Sequence, residues 1–384
     1  MTQHDKKKIL SLDDLEKFFY ENQEDIENNA NYTKAVNEGR VHPNNIIETM
    51  ASFVNDIHVE GYVLKYPHGT VIRQAERRNY YRGEAEDYPT SKTTLYRELD
   101  ECHSDDQKMV IKLIAKMRII EFRDFLMRLK YVRIWEETYG EPFYEAIAQH
   151  YGFMTEYLDI TNDFNVAMFF ACCMWDTHKR AWRPLTDEEC KAKKYGVLYH
   201  ARSDRIMLAF EDYKNLSPKV VPIGYQPFYR CQKQVGYVKH MDEGEDFKES
   251  MLFERLYFEH STNLSEGVFH YMNEGLDIYP DESLMFFEKE IEDMKSLLQF
   301  DFSTFDRALA ELGLSDKKDE MTQLLQASNF ATKSHTYKDI VIGDGIKVIR
   351  IPRQKINRFN LKNEFRSPEK DNNIQLTTRW IYAK

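Results

Sequence analysis

Cysteine is scarce in this chain. Its 384 residues hold five, an odd number: Cys102, Cys172, Cys173, Cys190 and Cys231. No two form a C-x-x-C pair, which argues against a disulfide framework and a zinc knuckle. Cys172 and Cys173 fall in an apolar run and read as buried thiols in a reducing compartment. Neither the 12 histidines nor the carboxylates show an H-E-x-x-H or comparable spacing, so no metal is expected. Long apolar runs are missing too; Val166 to Trp175 is the longest, too short to span a bilayer. The opening MTQHDKKKILSLDDLEKFF lacks an apolar segment and a small-residue cleavage site, so no signal peptide is expected. These absences predict a cytoplasmic protein without membrane contact. Positive charge is in deficit, with 53 Lys+Arg against 64 Asp+Glu and a net charge of −11. Such a surface repels phosphate backbones and disfavours general nucleic-acid binding, although one basic pocket is compatible with it.

Aromatic residues are plentiful, with 24 Tyr and 24 Phe, and hydrophobic residues reach 42%. That balance belongs to a folded chain with a sizeable core. Ser11-Leu12-Asp13-Asp14 has the form of a capping box opening a helix. A second helix is expected after Pro43, with Ile46, Ile47, Met50, Phe53 and Val54 on one face. Tyr80 to Arg82 reads as a short strand ending at Gly83. Apolar residues at helical spacing predict a helix over Asp106 to Lys130. A shorter helix starts at Pro142 and stops near Gly152. Asn162-Asp163 caps an apolar, hence central, helix through Val166 to Ala171. After a polar excursion, Asp176 to Lys194, strands are expected at 197–199, 220–223, 236–239 and 253–258. Helical pattern returns from Leu284, and Gly345 to Ile351 reads as a strand stopped by Pro352.

Helices and strands mix without βαβ alternation, which predicts an α+β fold: a mixed or antiparallel sheet core with packed helices. The chain divides into an N-terminal helical accessory segment (1–55), a central domain (56–295) and a C-terminal helical and strand extension (296–384).

Three polar constellations could carry chemistry. In Tyr80-Tyr81-Arg82-Gly83-Glu84, a strand-end arginine matches a phosphate or carboxylate bidentately. Gly83 lacks the Cβ that would hold a ligand off the backbone, and a tyrosine can supply a wall or a hydroxyl. The same residues suit a surface ion pair beside a turn glycine. In Gln149 to Thr161, a helix end leads through a polar segment toward the apolar helix. His150 suits a general base or hydrogen-bond donor, and Asp159 could orient Arg82; equally, they suit a helix-end cap and a turn. In Tyr229 to Tyr237, Arg230, Gln232 and Gln234 share one face if the segment is a strand.

Together and in this order, these segments resemble the FRG domain family, named for its Phe/Tyr-Arg-Gly motif. The motif reads Tyr81-Arg82-Gly83, followed by Leu95-Tyr96-Arg97. The second element appears as Gln149-His150-Tyr151-Gly152, Thr155, Leu158-Asp159 and Thr161, then Ala167-Met168-Phe169-Phe170-Ala171. Arg230, Gln234, Gly236 and Tyr237 match the third, and Gly275 to Asp281 the closing segment. Two positions depart from the pattern: Glu156, where the family often has Arg, and Tyr157, where it usually has Leu.

The family's organisation is similar to ADP-ribosyltransferase folds. The resemblance implies NAD as cofactor or substrate, held by Tyr81, Arg82, Gly83, Tyr151, Thr155 and Tyr237. His150, Asp159 and Gln234 become the catalytic candidates. Gln234 stands where many transferases place Glu, and an amide cannot accept a proton as a carboxylate does. The resemblance therefore leaves open an ADP-ribosyltransferase-like or NAD-hydrolysing enzyme and a non-catalytic nucleotide or phosphate sensor. A stress or phage-defence effector, toxic when released, is compatible with either. Expected partners are a nucleotide-like small molecule and an acceptor protein. A basic cluster of Arg350, Arg353, Lys355, Arg358 and Lys362 offers nucleic acid or an acidic partner a contact, or forms a solvated face.

Overall fold

Strands with side chains packed on both faces need cover on both sides, and seven of them build the centre of this protein. In the computed structural model, residues 7–37, 62–66, 69–73, 77–202, 220–346, 351–363, 365 and 377–380 are described. The main-sheet strands are β1 (Lys8–Leu10), β2 (Asn79–Glu84), β3 (Tyr157–Thr161), β4 (Tyr195–Arg202), β5 (Val220–Pro222), β6 (Gly236–His240) and β7 (Glu254–Glu259). Their order is β1-β7-β4-β2-β3-β6-β5. All neighbours are antiparallel except β1 and β7, so the sheet is mixed and the α+β class holds.

The sheet's two faces are covered by different helices. On one, Tyr80, Leu158, Ile160 and Tyr199 pack against Val110, Ile114 and Met117 of the long helix α3 (Asp105–Met127). Helices 302–311 and 318–327 join that layer through Phe305, Leu309, Met321 and Leu325. On the other, Tyr81, Leu198 and Leu256 meet α5 (Phe164–Cys172), which is buried along almost its whole length. Helices α1 (Leu12–Asn37) and α7 (Thr262–Tyr271) flank α5 there. A third cluster at the β6 end gathers Tyr157, Val238, Phe228 and Phe287.

Local chemistry sets the boundaries. Ser11 and Asp14 cap α1 reciprocally, as the capping box requires. Ser104 caps α3, which stops at Met127 because Leu129 takes an extended conformation before a further helix, Lys130–Tyr139. Helix α2 (Thr94–Asp100) is capped by Thr93, and α4 (Tyr144–His150) follows Pro142 as expected. The helix foreseen after Pro43 lies outside the described residues. So does most of the strand expected at Gly345 to Ile351; Gly345 itself sits in a turn with φ +65°.

Candidate functional site

Strands β2 and β3 are neighbours, yet they meet at one residue pair, Tyr81 with Thr161. By contrast, β2 pairs with β4 along all of Asn79–Glu84, and β3 with β6 along all of Tyr157–Thr161. The sheet therefore splits between its two central strands. Arg82 is the first residue past the single bridge. Its Nη1 donates to the Asp159 carbonyl at 2.9 Å and its Nε to Glu84 at 3.0 Å. A guanidinium thus spans the gap where ladder hydrogen bonds would otherwise run.

A cleft of about 330 Å³ opens at this split. Its walls include Tyr81, Arg82, Gly83, Glu84, Arg97, His150, Asp159, Thr161 and Gln234. Three segments distant in sequence therefore converge, as the anion-site reading requires. Gly83 has a different task from the one its sequence suggests. A Cβ built there would lie 1.8 Å from the Ala167 carbonyl oxygen, so the glycine admits α5 against β2. Helix packing fills the position a side chain would take there, while the residue itself still lines the cleft.

Charge in the cleft is arranged around Arg82. Glu84 is 6% exposed and accepts from Arg82, from Ser91 Oγ at 2.6 Å and from the Tyr199 hydroxyl at 3.4 Å. Arg97, on α2, is exposed overall but turns one side into the cleft. There, desolvation and then the positive charge of Arg82 lower its pKa. Two guanidiniums thus flank one carboxylate.

His150 is the last residue of α4 and is buried, with its carbonyl accepting from Arg230 Nη1 at 2.9 Å. Among the described residues its Nε2 has no hydrogen-bond partner. Burial lowers its pKa against the opposing pull of Asp159, which favours the neutral ring. Asp159 offers a second orphan: its Oδ1 is buried and has no partner among the described residues, while Oδ2 accepts from Gln149 Nε2 at 3.5 Å. Thr155 donates to Gln149 and so braces Asp159 from behind. Thr155 itself does not line the cleft.

The third constellation requires a correction. Tyr229–Lys233 is a short helix, α6, and not a strand that aligns Arg230, Gln232 and Gln234. Gln234 closes it, its N–H bonded to the Arg230 carbonyl at 3.1 Å, and Val235 turns the chain into β6 with φ +44°. The two-residue period fails because helical turns now separate these side chains; Arg230 and Gln234 are one turn apart. Gln234 lines the cleft, and Arg230 stands behind it.

Arg230 belongs to a buried cluster. Its guanidinium lies 4.4 Å from the Tyr151 ring centre, and its Nε lies 3.5 Å from Glu282. The Tyr151 hydroxyl donates to the same carboxylate. Tyr151 therefore supports the wall and does not line it. Tyr237 packs on the opposite face against Tyr80, with ring centres 5.0 Å apart, and also does not line the cleft. Trp175, Trp182 and Phe170, none of them a site candidate from sequence, do line it. Both tryptophans lie on a hairpin at the edge of the polar excursion, where nothing local signals a site.

Residues 77–180 match the family model of the FRG domain. The chain carries an FRG domain. The match takes in the Arg82 strand, the His150–Asp159 segment and α5, and it ends before Arg230. Comparison with curated proteins and with solved structures finds no match. Glu156, a departure from the FRG pattern, pairs with His240 at 3.1 Å and is not on the cleft wall. Its charge reversal therefore falls outside the FRG cleft. Among the described residues no group of three or more ligating side chains could hold a metal, and no helix is long and apolar enough to cross a membrane.

Proposed function

We propose that the FRG domain binds a phosphorylated, nucleotide-like ligand of the NAD class in the cleft between β2 and β3. The observation that carries this reading is the convergence of Arg82 and Arg97 with two buried, unpartnered polar atoms, His150 Nε2 and Asp159 Oδ1. Buried polar atoms without partners are uncommon and cost free energy, so such atoms on residues that line a cleft suit a ligand that satisfies them. Arg82 suits the anchor role because Nε and Nη1 bond to Glu84 and Asp159, while Nη2 has no hydrogen bond among the described residues. Arg97 adds a second cation. Neutral His150 and the Gln234 amide would orient the ligand by hydrogen bonding.

Chemistry at a glycosidic bond is the catalytic form of this reading. NAD would present its nicotinamide–ribose bond, and the group suited to face positive charge developing there is the Asp159 carboxylate. Gln234 cannot take that role, because an amide carries no charge. A sensing role without turnover is favoured by a different observation, the neutralisation of Glu84 by Arg82.

Calorimetric titration with NAD and with ADP-ribose tests binding, beside a chromatographic assay for free nicotinamide. Saturable binding that Arg82→Ala abolishes supports the site; binding that survives this change removes it. Nicotinamide release that requires Asp159 selects the enzyme, and an intact bound ligand selects the sensor. A stress or phage-defence role predicts that wild type slows growth of a bacterial host and Arg82→Ala does not.

A further inference from the structure

An exposed tryptophan at the rim of a cleft calls for an explanation, because an indole left in water forgoes a large hydrophobic gain. Trp175 is 45% exposed and lines the cleft. It lies on a hairpin of Cys173–Asp176 with Ala181–Pro184, directly opposite Trp182 in the register. The two rings are 5.7 Å apart, edge to face. Trp182 is held from behind by Phe169, Phe170 and Tyr279, with centre distances of 5.1, 5.9 and 5.3 Å. Its Nε1 is buried without a partner among the described residues.

The hairpin is braced by hydrogen bonds and an ion pair. Asp176 Oδ1 accepts from the His178 and Lys179 amides, both at 2.9 Å, which folds the turn on itself. Arg183 makes a two-pronged ion pair with Glu189, with both hydrogen bonds at 2.7 Å. A braced aromatic pair with one face open and one donor unsatisfied loses little entropy when a flat ring lands on it.

We propose that the Trp175–Trp182 hairpin is a base-recognition platform, so that the ligand class is a nucleotide bearing an aromatic base and not a simple phosphate or sugar phosphate. This rests on the cleft reading above and adds the selectivity element. Trp175 supplies the stacking face and Trp182 a hydrogen-bond donor toward the ring system. Arg82 and Arg97 read the phosphates.

Calorimetry on the full chain with two probes, NAD and inorganic pyrophosphate, tests it in wild type, Trp175→Ala and Trp175→Phe. Base–aromatic stacking is worth enough that Trp175→Ala should weaken NAD about 10-fold. Trp175→Phe should restore most of that loss, and neither change should alter pyrophosphate binding. NAD should also quench tryptophan fluorescence, less so in Trp175→Ala. Wild-type affinity for NAD in Trp175→Ala, or equal loss of both probes, overturns the platform and leaves the anion site standing. A wild-type chain that binds neither probe overturns the anion site and the platform together.

Discussion

Arg82 and Gly83 are adjacent, and their side-chain positions point to opposite faces of β2. The arginine bridges the split sheet, while the glycine lets α5 settle on the strand behind it. Gly83→Ala should therefore destabilise the fold by about 3 kcal/mol, since a Cβ 1.8 Å from a helix carbonyl forces α5 off the sheet. Urea denaturation measures this, and an unchanged midpoint would mean that α5 shifts at no cost. Removing one member of a buried ion pair is comparably severe. Glu282 is 6% exposed and burial raises its pKa, yet it stays the partner of Arg230 and Tyr151. Arg230→Met should cost about 3 to 5 kcal/mol and loosen the His150 carbonyl that Arg230 holds. A loss below about 1 kcal/mol would show the cluster to be dispensable.

At the scale of elements, the N-terminus of α5 fastens three pieces of chain. Asp163 caps the helix, accepting from the Asn165 amide at 2.8 Å. The same carboxylate lies 2.5 Å from Arg77 and accepts from Asn22 of α1 at 3.1 Å. Asp25 of α1 is buried against Arg78, so the helix is clamped to the start of β2 at two points. Asp163→Ala removes a cap and strands the little-exposed Arg77, a loss of about 3 kcal/mol. Asn22→Ala removes a donor to Asp163 and an acceptor for Arg77 and the Phe164 amide but leaves the Asp163–Arg77 pair intact, and should cost less, about 1.5 to 2 kcal/mol. Thermal unfolding distinguishes the two; equal shifts would contradict Asp163 as the common anchor.

For the whole molecule, buried histidines set the response to acid. His150, His200 and His260 all have lowered pKa values, with burial the largest cause in each. Below about pH 6.5 the unfolded chain binds protons that these folded rings refuse, so stability falls as pH drops from 6.5 toward their folded values. His240 works the other way, because its hydrogen bond to Glu156 raises its pKa. Each ring contributes at most about 1.4 kcal/mol per pH unit in its window. His150→Gln should flatten the dependence, as compared through urea midpoints at pH 7 and pH 6. An unchanged slope would mean that His150 takes up its proton as readily folded as unfolded.

Much of this architecture was legible without coordinates, for reasons of local chemistry. The caps at Ser11 and Asp163, the apolar helix between them and the sheet, and the α+β class follow from side-chain type and spacing. These are interactions within a few residues. The motif order also pointed to the FRG domain and to Arg82, His150, Asp159 and Gln234 as neighbours, all of which line one cleft. What proximity in the chain cannot encode had to come from folding. The parting of β2 from β3 depends on pairing partners over seventy residues apart. The close approach of α5 to Gly83 appears only once the helix is laid across β2, and Gln234 reads as a strand residue until Val235 turns the backbone. Thr155, Tyr151 and Tyr237 look like neighbours of the cleft, and tertiary packing puts them behind it or on the far face. The tryptophan hairpin carries no signal of its own, because a ring becomes a rim only when other segments enclose the space beside it.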